Sequence, residues 1–301
     1  MDKILVCAPN FSEYKRKDVV EKILDCFRNK EKVTIASCAG DENTNRFSPS
    51  ILGEPEAVRD AMVEAMGVAI ELIDMNQHKG QHPRMGATDV VPLTPIRNIT
   101  LDECAKTAHE IAKLAAERYN LPIYMYEATA SAPHRMKLRD IRKGEYEGLA
   151  EKMKDPAWKP DYGPDAPHPT AGATAVGARG FMVPLNVLLN TTDLTIAKAI
   201  AKKVRASSGG YNNVMAIAID MPNRGKVQVS MDLLDYKTTT IVTVLESIRT
   251  LAATYGVSIA CVQTGIVPME VILTIVQDYL HLEYLDDTPF SMDKIFETHL
   301  I

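Results

Sequence analysis

Apolar and polar positions alternate along the chain in two rhythms, and the switches between them mark out the elements. The run Ile4-Leu5-Val6-Cys7-Ala8 reads as a buried strand over 3–8. Over 17–27 the apolar positions Val19, Val20, Ile23, Leu24 and Phe27 recur at helical spacing. Strand signals return at 33–39 and 47–52, either side of a polar turn at 40–45. Pro55 opens a helix expected to reach about Asn76, because proline's missing N–H costs little in a first turn. After a loop at 78–86 come an extended stretch at 88–93, a helix at 102–119 and a strand at 121–126. Thr100, with Glu103 three residues on, is the expected cap of that helix.

The second half repeats the order with less decoration. It predicts strand 182–188, helix 191–206, strands 215–218 and 226–233 about the turn Pro222-Asn223-Arg224-Gly225, helix 239–255 and strand 258–262. Strand–helix–strand–strand–helix–strand in each half is the split βαβ pattern, although no residue-level identity joins the halves. The expected fold is therefore α+β: two ferredoxin-like βαββαβ subdomains, over 1–178 and 179–301, each an antiparallel sheet covered by helices. A doubly wound dinucleotide-binding sheet would need a glycine-rich turn after the first strand, and Pro9-Asn10-Phe11-Ser12 is not one. Residues 128–180, rich in proline and glycine, read as a long ligand-holding loop that Tyr146, Trp158 and Tyr162 give groups to pack with.

Composition narrows the class of partner. The 301 residues are 46% hydrophobic and 24% charged, as in ordinary soluble two-domain proteins. With 34 basic against 39 acidic residues the net charge is −5, which argues against a phosphate-backbone binder. Only 6 Phe, 11 Tyr and 1 Trp are present, so stacking platforms for single-stranded nucleic acid are not expected either. Cys7, Cys26, Cys38, Cys104 and Cys261 are scattered and never paired as C-x-x-C, which reads as buried thiols in a reducing cytosol. No apolar run approaches the roughly 20 residues of a membrane span, so the expected location is cytoplasmic, with no membrane partner.

The densest cluster of chemistry is His78-Lys79-Gly80-Gln81-His82-Pro83-Arg84-Met85-Gly86, directly after a long helix. Gly80, Gly86 and Pro83 set unusual or fixed backbone angles around His82 and aim its ring at a cavity. The plain alternative is a solvated helix-end loop whose Lys and Arg neutralise the helix terminus. His78 and His82 share an i, i+4 spacing, but Gly80 and Pro83 break any helix between them, so no metal is expected. In Asp41-Glu42-Asn43-Thr44-Asn45-Arg46, turn chemistry explains the Asn and Asp, while Arg46 suits bidentate grip of a carboxylate. Small residues from Gly163 to Arg179, framed by prolines, allow close backbone approach to a flat ligand or make a rigid linker.

Together these strings resemble the glutamate formimidoyltransferase family. The resemblance rests on Pro9-Asn10-Phe11-Ser12-Glu13, Thr44-Asn45-Arg46, Ile73-Asp74-Met75 and the His78–Gly86 loop running into Ala87. It continues through Gly144-Glu145-Tyr146-Glu147, Asp161-Tyr162-Gly163-Pro164, Gly172-Ala173-Thr174, Gly177-Ala178-Arg179, Leu233-Leu234-Asp235-Tyr236 and Gly265-Ile266-Val267-Pro268. It implies transfer of the formimino group from N-formimino-L-glutamate to N5 of tetrahydrofolate, with tetrahydrofolate as co-substrate, two halves meeting over a cleft, and a homodimer. It also implies His82 as the catalytic histidine, and Gly163, Pro164, Asp165, Ala166, Pro167, His168, Pro169, Thr170, Ala171 and Gly172 as the folate-binding stretch. Arg46, Lys79 and Arg84 are then the counter-charges for the donor's two carboxylates, in a basic pocket that also holds His78 and His82.

The sequence departs from the family at Ala171, where relatives often carry Trp, at Val6, where an acidic residue is common, and at Asp232, in place of Asn. In animals this region is fused to a cyclodeaminase. With the chain stopping at Ile301, that activity is expected from a separate protein or not at all. The rival readings are formyl transfer between 5-formyltetrahydrofolate and glutamate, a folate-binding protein without turnover, and a metal-dependent hydrolase.

Overall fold

The computed structural model describes residues 2–280 apart from 43, 81, 265, 266 and 268, so much of the Gly265–Pro268 string lies outside it. The chain divides into two compact units, Met1–Phe181 and Met182–Ile301.

In the first unit the strands are β1 (Ile4–Cys7), β2 (Asn10–Phe11), β3 (Val33–Asp41), β4 (Arg46–Gly53), β5 (Thr88–Arg97), β6 (Ile123–Glu127) and β7 (Thr174–Ala178). Its helices are α1 (Lys17–Asp25), α2 (Pro55–Leu72), α3 (Leu101–Tyr119), α4 (Leu138–Ile141) and α5 (Glu145–Lys152). β3 pairs with β4, which pairs with β1 and β2, and these in turn pair with β5, all antiparallel. β7 then adds parallel to β5, and β6 parallel to β7. The expected purely antiparallel first sheet is therefore corrected to a mixed one. β7 lies inside the stretch expected to be loop, and α4 and α5 lie there too. Its residues Thr174-Ala175-Val176-Gly177-Ala178 are all buried, but β-branched Thr174 and Val176 stand among Ala and Gly, which dilute the signature that marks a strand in sequence.

α1, α2 and α3 build the core from the faces their periodicity marks. Val19, Val20, Ile23 and Leu24 of α1 are buried together with Val58, Met62 and Met66 of α2 and Cys104, Ile111 and Ala115 of α3. Thr100 and Glu103 form the reciprocal capping box expected of them. α2 ends at Leu72 rather than near Asn76, because Ile73 turns extended and Met75 N–H donates to the Thr170 carbonyl (2.7 Å). Cys7, Cys26 and Cys104 are buried, but Cys38 and Cys261 are exposed, contrary to expectation. Cys38 sits on β3, an edge strand paired only with β4 and mostly exposed along its length.

The second unit carries β8 (Val183–Leu189), α6 (Leu194–Val204), β9 (Val214–Met221), β10 (Lys226–Leu233), α7 (Ile241–Thr254), β11 (Ile259–Thr264) and α8 (Met269–Leu280). The sheet order is β11-β8-β10-β9, with every pairing antiparallel. Val227, Val229, Met231 and Leu233 alternate along β10 as buried positions, while Ser230 and Gln228 on the opposite face bond the Asn186 side chain. Asp193 caps α6 by accepting from the Thr195 amide. Among the described residues no helix is long and apolar enough to cross a membrane.

Candidate active site

The segment after α2 is held from both sides within the first unit. Ser12 N–H donates to the Ala87 carbonyl (2.8 Å) and Ser12 Oγ to that of Gly86 (2.7 Å). Ala87 N–H donates to Ala171 (2.9 Å) and Ala173 N–H to Met85 (3.1 Å), so the end of the His loop is paired with the end of the 163–172 stretch. This close approach requires glycine at two points. A Cβ on Gly86 would lie 2.1 Å from the Ala173 carbonyl oxygen. Gly172 combines φ +70° with a Cβ position 2.2 Å from the Met85 oxygen.

The two histidines of the loop are held differently. His78 is buried, its Nε2 3.0 Å from the Asn45 carbonyl and its Nδ1 3.2 Å from Nε of Arg84. Since the guanidinium must donate, Nδ1 accepts and Nε2–H donates to Asn45, which fixes a neutral ring. Burial lowers its pKa further, so His78 is a strut rather than a proton carrier. His82 is half-buried, with Nδ1 2.7 Å from the Pro83 carbonyl oxygen. Nδ1–H therefore donates to that carbonyl, and Nε2 carries the free lone pair. Burial and, next, the charge of Arg46 lower its pKa, while Asp89 and the Pro83 bond pull the other way.

The charged side chains sort into two networks. Arg46, 6% exposed, pairs through Nη2 with Oδ2 of the fully buried Asp89 (2.7 Å). Arg142 pairs with the same Oδ2, and the Met85 N–H donates to Oδ1 (2.8 Å). In the second network Arg84 meets Glu147 through both terminal nitrogens (2.8 and 2.6 Å) and Glu145 through Nη1 (3.0 Å). Arg84 holds the Glu147 carboxyl down to about 2. Lys79 is exposed and, with Gly80, Arg84, Gly144, Glu145 and Glu147, lines a cavity of about 430 Å³. In this cavity two cations face two carboxylates, and Arg84 is already engaged. The cavity does not include His82 among its lining.

The 163–172 stretch is a shaped loop with a buried end. His168 and Gly172 exchange backbone hydrogen bonds (2.9 and 3.0 Å), and the His168 ring accepts from the Ala171 N–H (3.1 Å). Tyr146 on α5 donates to the Asn76 side chain (2.8 Å), whose Nδ2 donates to the Pro169 carbonyl (3.0 Å). Ala171 is 1% exposed and belongs to the core, whereas Gly163, Asp165, Ala166 and Pro169 are exposed. Thus Arg46, through Asp89 and the Met85 amide, is joined to the segment that pairs with the Ala171–Gly172 end, while the exposed Lys79 shares its cavity with Arg84.

Asp89, Arg142 and Glu13 have no counterpart among the roles read from the sequence. Glu13 is 4% exposed and accepts from the amides of Tyr14, Lys15 and Arg16 (2.9–3.1 Å). Asp89 left one usable signal, a lone charge inside the apolar stretch Thr88–Arg97. Arg142 left none, because only the tertiary fold brings it to Asp89. Among the described residues no group of three or more His, Cys, Asp or Glu is placed to hold a metal ion.

Comparison with known proteins covers nearly the whole chain. The family model described as the formiminotransferase domain, N-terminal subdomain, matches residues 4–179, and that of the formiminotransferase domain matches 180–289. The chain is 36% identical to a glutamate formimidoyltransferase of Streptococcus pyogenes serotype M1, over 100% of both chains. It is also 36% identical to one from Thermoplasma acidophilum, over 94% of each. A formimidoyltransferase-cyclodeaminase of Rattus norvegicus is 36% identical over 95% of this chain and 54% of its own length.

Proposed function

Because the chain belongs to the glutamate formimidoyltransferase family, we propose that His82 is the proton carrier of its reaction. The reaction transfers the formimino group from N-formimino-L-glutamate to N5 of tetrahydrofolate, giving 5-formiminotetrahydrofolate and L-glutamate. N5 attacks the amidine carbon, and the new C–N bond makes a tetrahedral intermediate. Collapse breaks the bond to the glutamate nitrogen. N5 must lose a proton and the departing amine must gain one, and one imidazole with a pKa near or below neutrality serves both steps.

The observation that carries this reading is the 2.7 Å bond from Nδ1 of His82 to the Pro83 carbonyl, which leaves Nε2 as the basic atom of a ring whose pKa burial lowers. His78, with both nitrogens engaged, is not available for that role.

Tetrahydrofolate enters as co-substrate, and the 163–172 stretch is its proposed seat. The exposed Gly163, Asp165, Ala166 and Pro169 would meet it, while Ala171 and Gly172 are occupied in the core and the Met85–Gly86 pairing. Each half is read as a ferredoxin-like subdomain with the functional boundary at 178/179. The order β11-β8-β10-β9, and the order β3-β4-β1-β5 within the first sheet, support that reading. A homodimer in the cytoplasm, with any cyclodeaminase as a separate partner, completes the proposal, and sedimentation tests its first part.

The test is incubation of the protein with tetrahydrofolate and N-formimino-L-glutamate, following absorbance of the folate product. N-formyl-L-glutamate serves as the parallel donor. Faster transfer from the formimino donor is expected. Transfer from the formyl donor alone would assign the site to formyl chemistry, and tight folate binding without transfer from either would reduce the chain to a binding protein.

A further inference from the structure

The Arg46–Asp89–Arg142 cluster contains more hydrogen-bond donors than its own carboxylate satisfies. Asp89 Oδ2 takes one terminal nitrogen from each guanidinium, and Oδ1 takes the Met85 amide. Nη1 of Arg46 and Nε of Arg142 are buried and have no hydrogen-bond partner among the described residues. Arg46 is 6% exposed, so this is a charged group withdrawn from water with part of its fork unused. Stranding such a donor in the interior carries an uncompensated desolvation penalty unless a ligand completes it. Two guanidinium charges against one carboxylate leave the cluster with a net positive charge. By contrast, Arg84 is saturated by Glu145 and Glu147.

We propose that Arg46 and Arg142, bridged by Asp89, receive the α-carboxylate of N-formimino-L-glutamate, with Arg142 a specificity-determining residue of the site. The choice between the donor's two carboxylates follows from its covalent structure. The α-carboxylate is one carbon from the nitrogen that leaves, whereas the γ-carboxylate lies at the far end of a flexible chain. Arg46, Arg142 and Asp89 are the charges that bear on His82, the group that protonates the leaving nitrogen. A carboxylate held by this cluster therefore brings the leaving nitrogen within the electrostatic reach of His82.

Arg142 is itself positioned for this task. It follows directly on the short α4, and Lys152 Nζ clasps the surrounding backbone by donating to the carbonyls of Asp140 (2.7 Å), Ile141 (2.6 Å) and Lys143 (3.4 Å). Asp89 is the bridge that keeps the two positive groups side by side. This inference rests on the assignment of N-formimino-L-glutamate as donor, and its test separates the two claims.

Calorimetric binding of N-formimino-L-glutamate in the absence of folate reads the cluster independently of turnover. Arg142→Gln is expected to weaken this binding by at least about tenfold, while tetrahydrofolate affinity stays within about twofold. Arg142→Lys keeps a charge on Asp89 but not the fork, and is expected to fall between. An analogue with the α-carboxylate replaced by carboxamide should bind the wild type as weakly as Arg142→Gln binds the natural donor, and should lose little more in that variant. Unchanged donor affinity in both Arg142 variants, or equal loss for natural donor and analogue, overturns the proposal. If Arg142→Gln fails to fold, Arg142→Lys decides it on the same measure. A wild type that binds the donor through Arg142 but transfers nothing would instead overturn the functional reading and leave the cluster assignment standing.

Discussion

His82 differs from His78 by one hydrogen bond. His78 spends both ring nitrogens on Asn45 and Arg84, whereas His82 spends only Nδ1 and keeps Nε2. Replacing His82 with Ala should lower kcat by roughly 10²–10⁴-fold while leaving the KM for tetrahydrofolate near its wild-type value. Turnover like that of the wild type would remove His82 from the mechanism. The ring's pKa lies below its usual 6.5 because of burial and then Arg46, so the acidic limb of kcat/KM should fall below that pH. Arg46→Gln removes a positive charge that disfavours the imidazolium and frees the Asp89 charge that favours it. Both effects raise the pKa, so the limb should move to higher pH in that variant. A limb that stays in place or moves downward would show that another group titrates. The presence of a constrained His82 was legible in its Gly and Pro neighbours. That Arg84 is engaged was not, because Glu145 and Glu147 lie some sixty residues away in sequence.

Elements were legible wherever their signal is local. The helical faces of α1 and α3, the Thr100–Glu103 box and the alternation of β10 all arise from residues within a few positions of one another. β7 escaped notice because small residues among prolines form a strand only when β5 and β6 lie on either side of it. The same pairing explains why Gly172, just ahead of β7, is so tightly constrained. Gly172→Ala places a side chain at φ +70° against the Met85 carbonyl and should destabilise the first unit by about 1–3 kcal/mol. Urea unfolding measures it, with Gly148→Ala as a control, since a Cβ there meets nothing within 4 Å. Equal stability of the two variants would contradict the pairing of 85–87 with 171–173.

Across the whole chain, acid response follows from carboxylates with depressed pKa values in both units. Glu147 is lowered from 4.5 to about 2 by Arg84, Asp74 by Asn76, Asp193 by Thr195 and Asp235 by Thr238. Each unfolded chain then binds more protons than the folded one as pH falls, so stability present above pH 4.5 is lost as pH drops through the folded values. Unfolding midpoints measured from pH 6 to pH 2 should fall steadily below about pH 4.5, and Glu147→Gln should flatten that decline. A midpoint independent of pH over that range would show these pairs to be unformed. The order of elements, the two-part α+β organisation, the capping chemistry and a family-specific histidine loop could all be read from the linear chain. They depend on periodicities, caps and short strings that are complete within a few residues. Only the tertiary structure decided that the first sheet is mixed, that Cys38 is exposed, that Arg84 is neutralised, and that Arg46 and Arg142 share Asp89. Each of those depends on groups brought together from distant segments, and which charges meet is set by how the backbone packs rather than by any local preference.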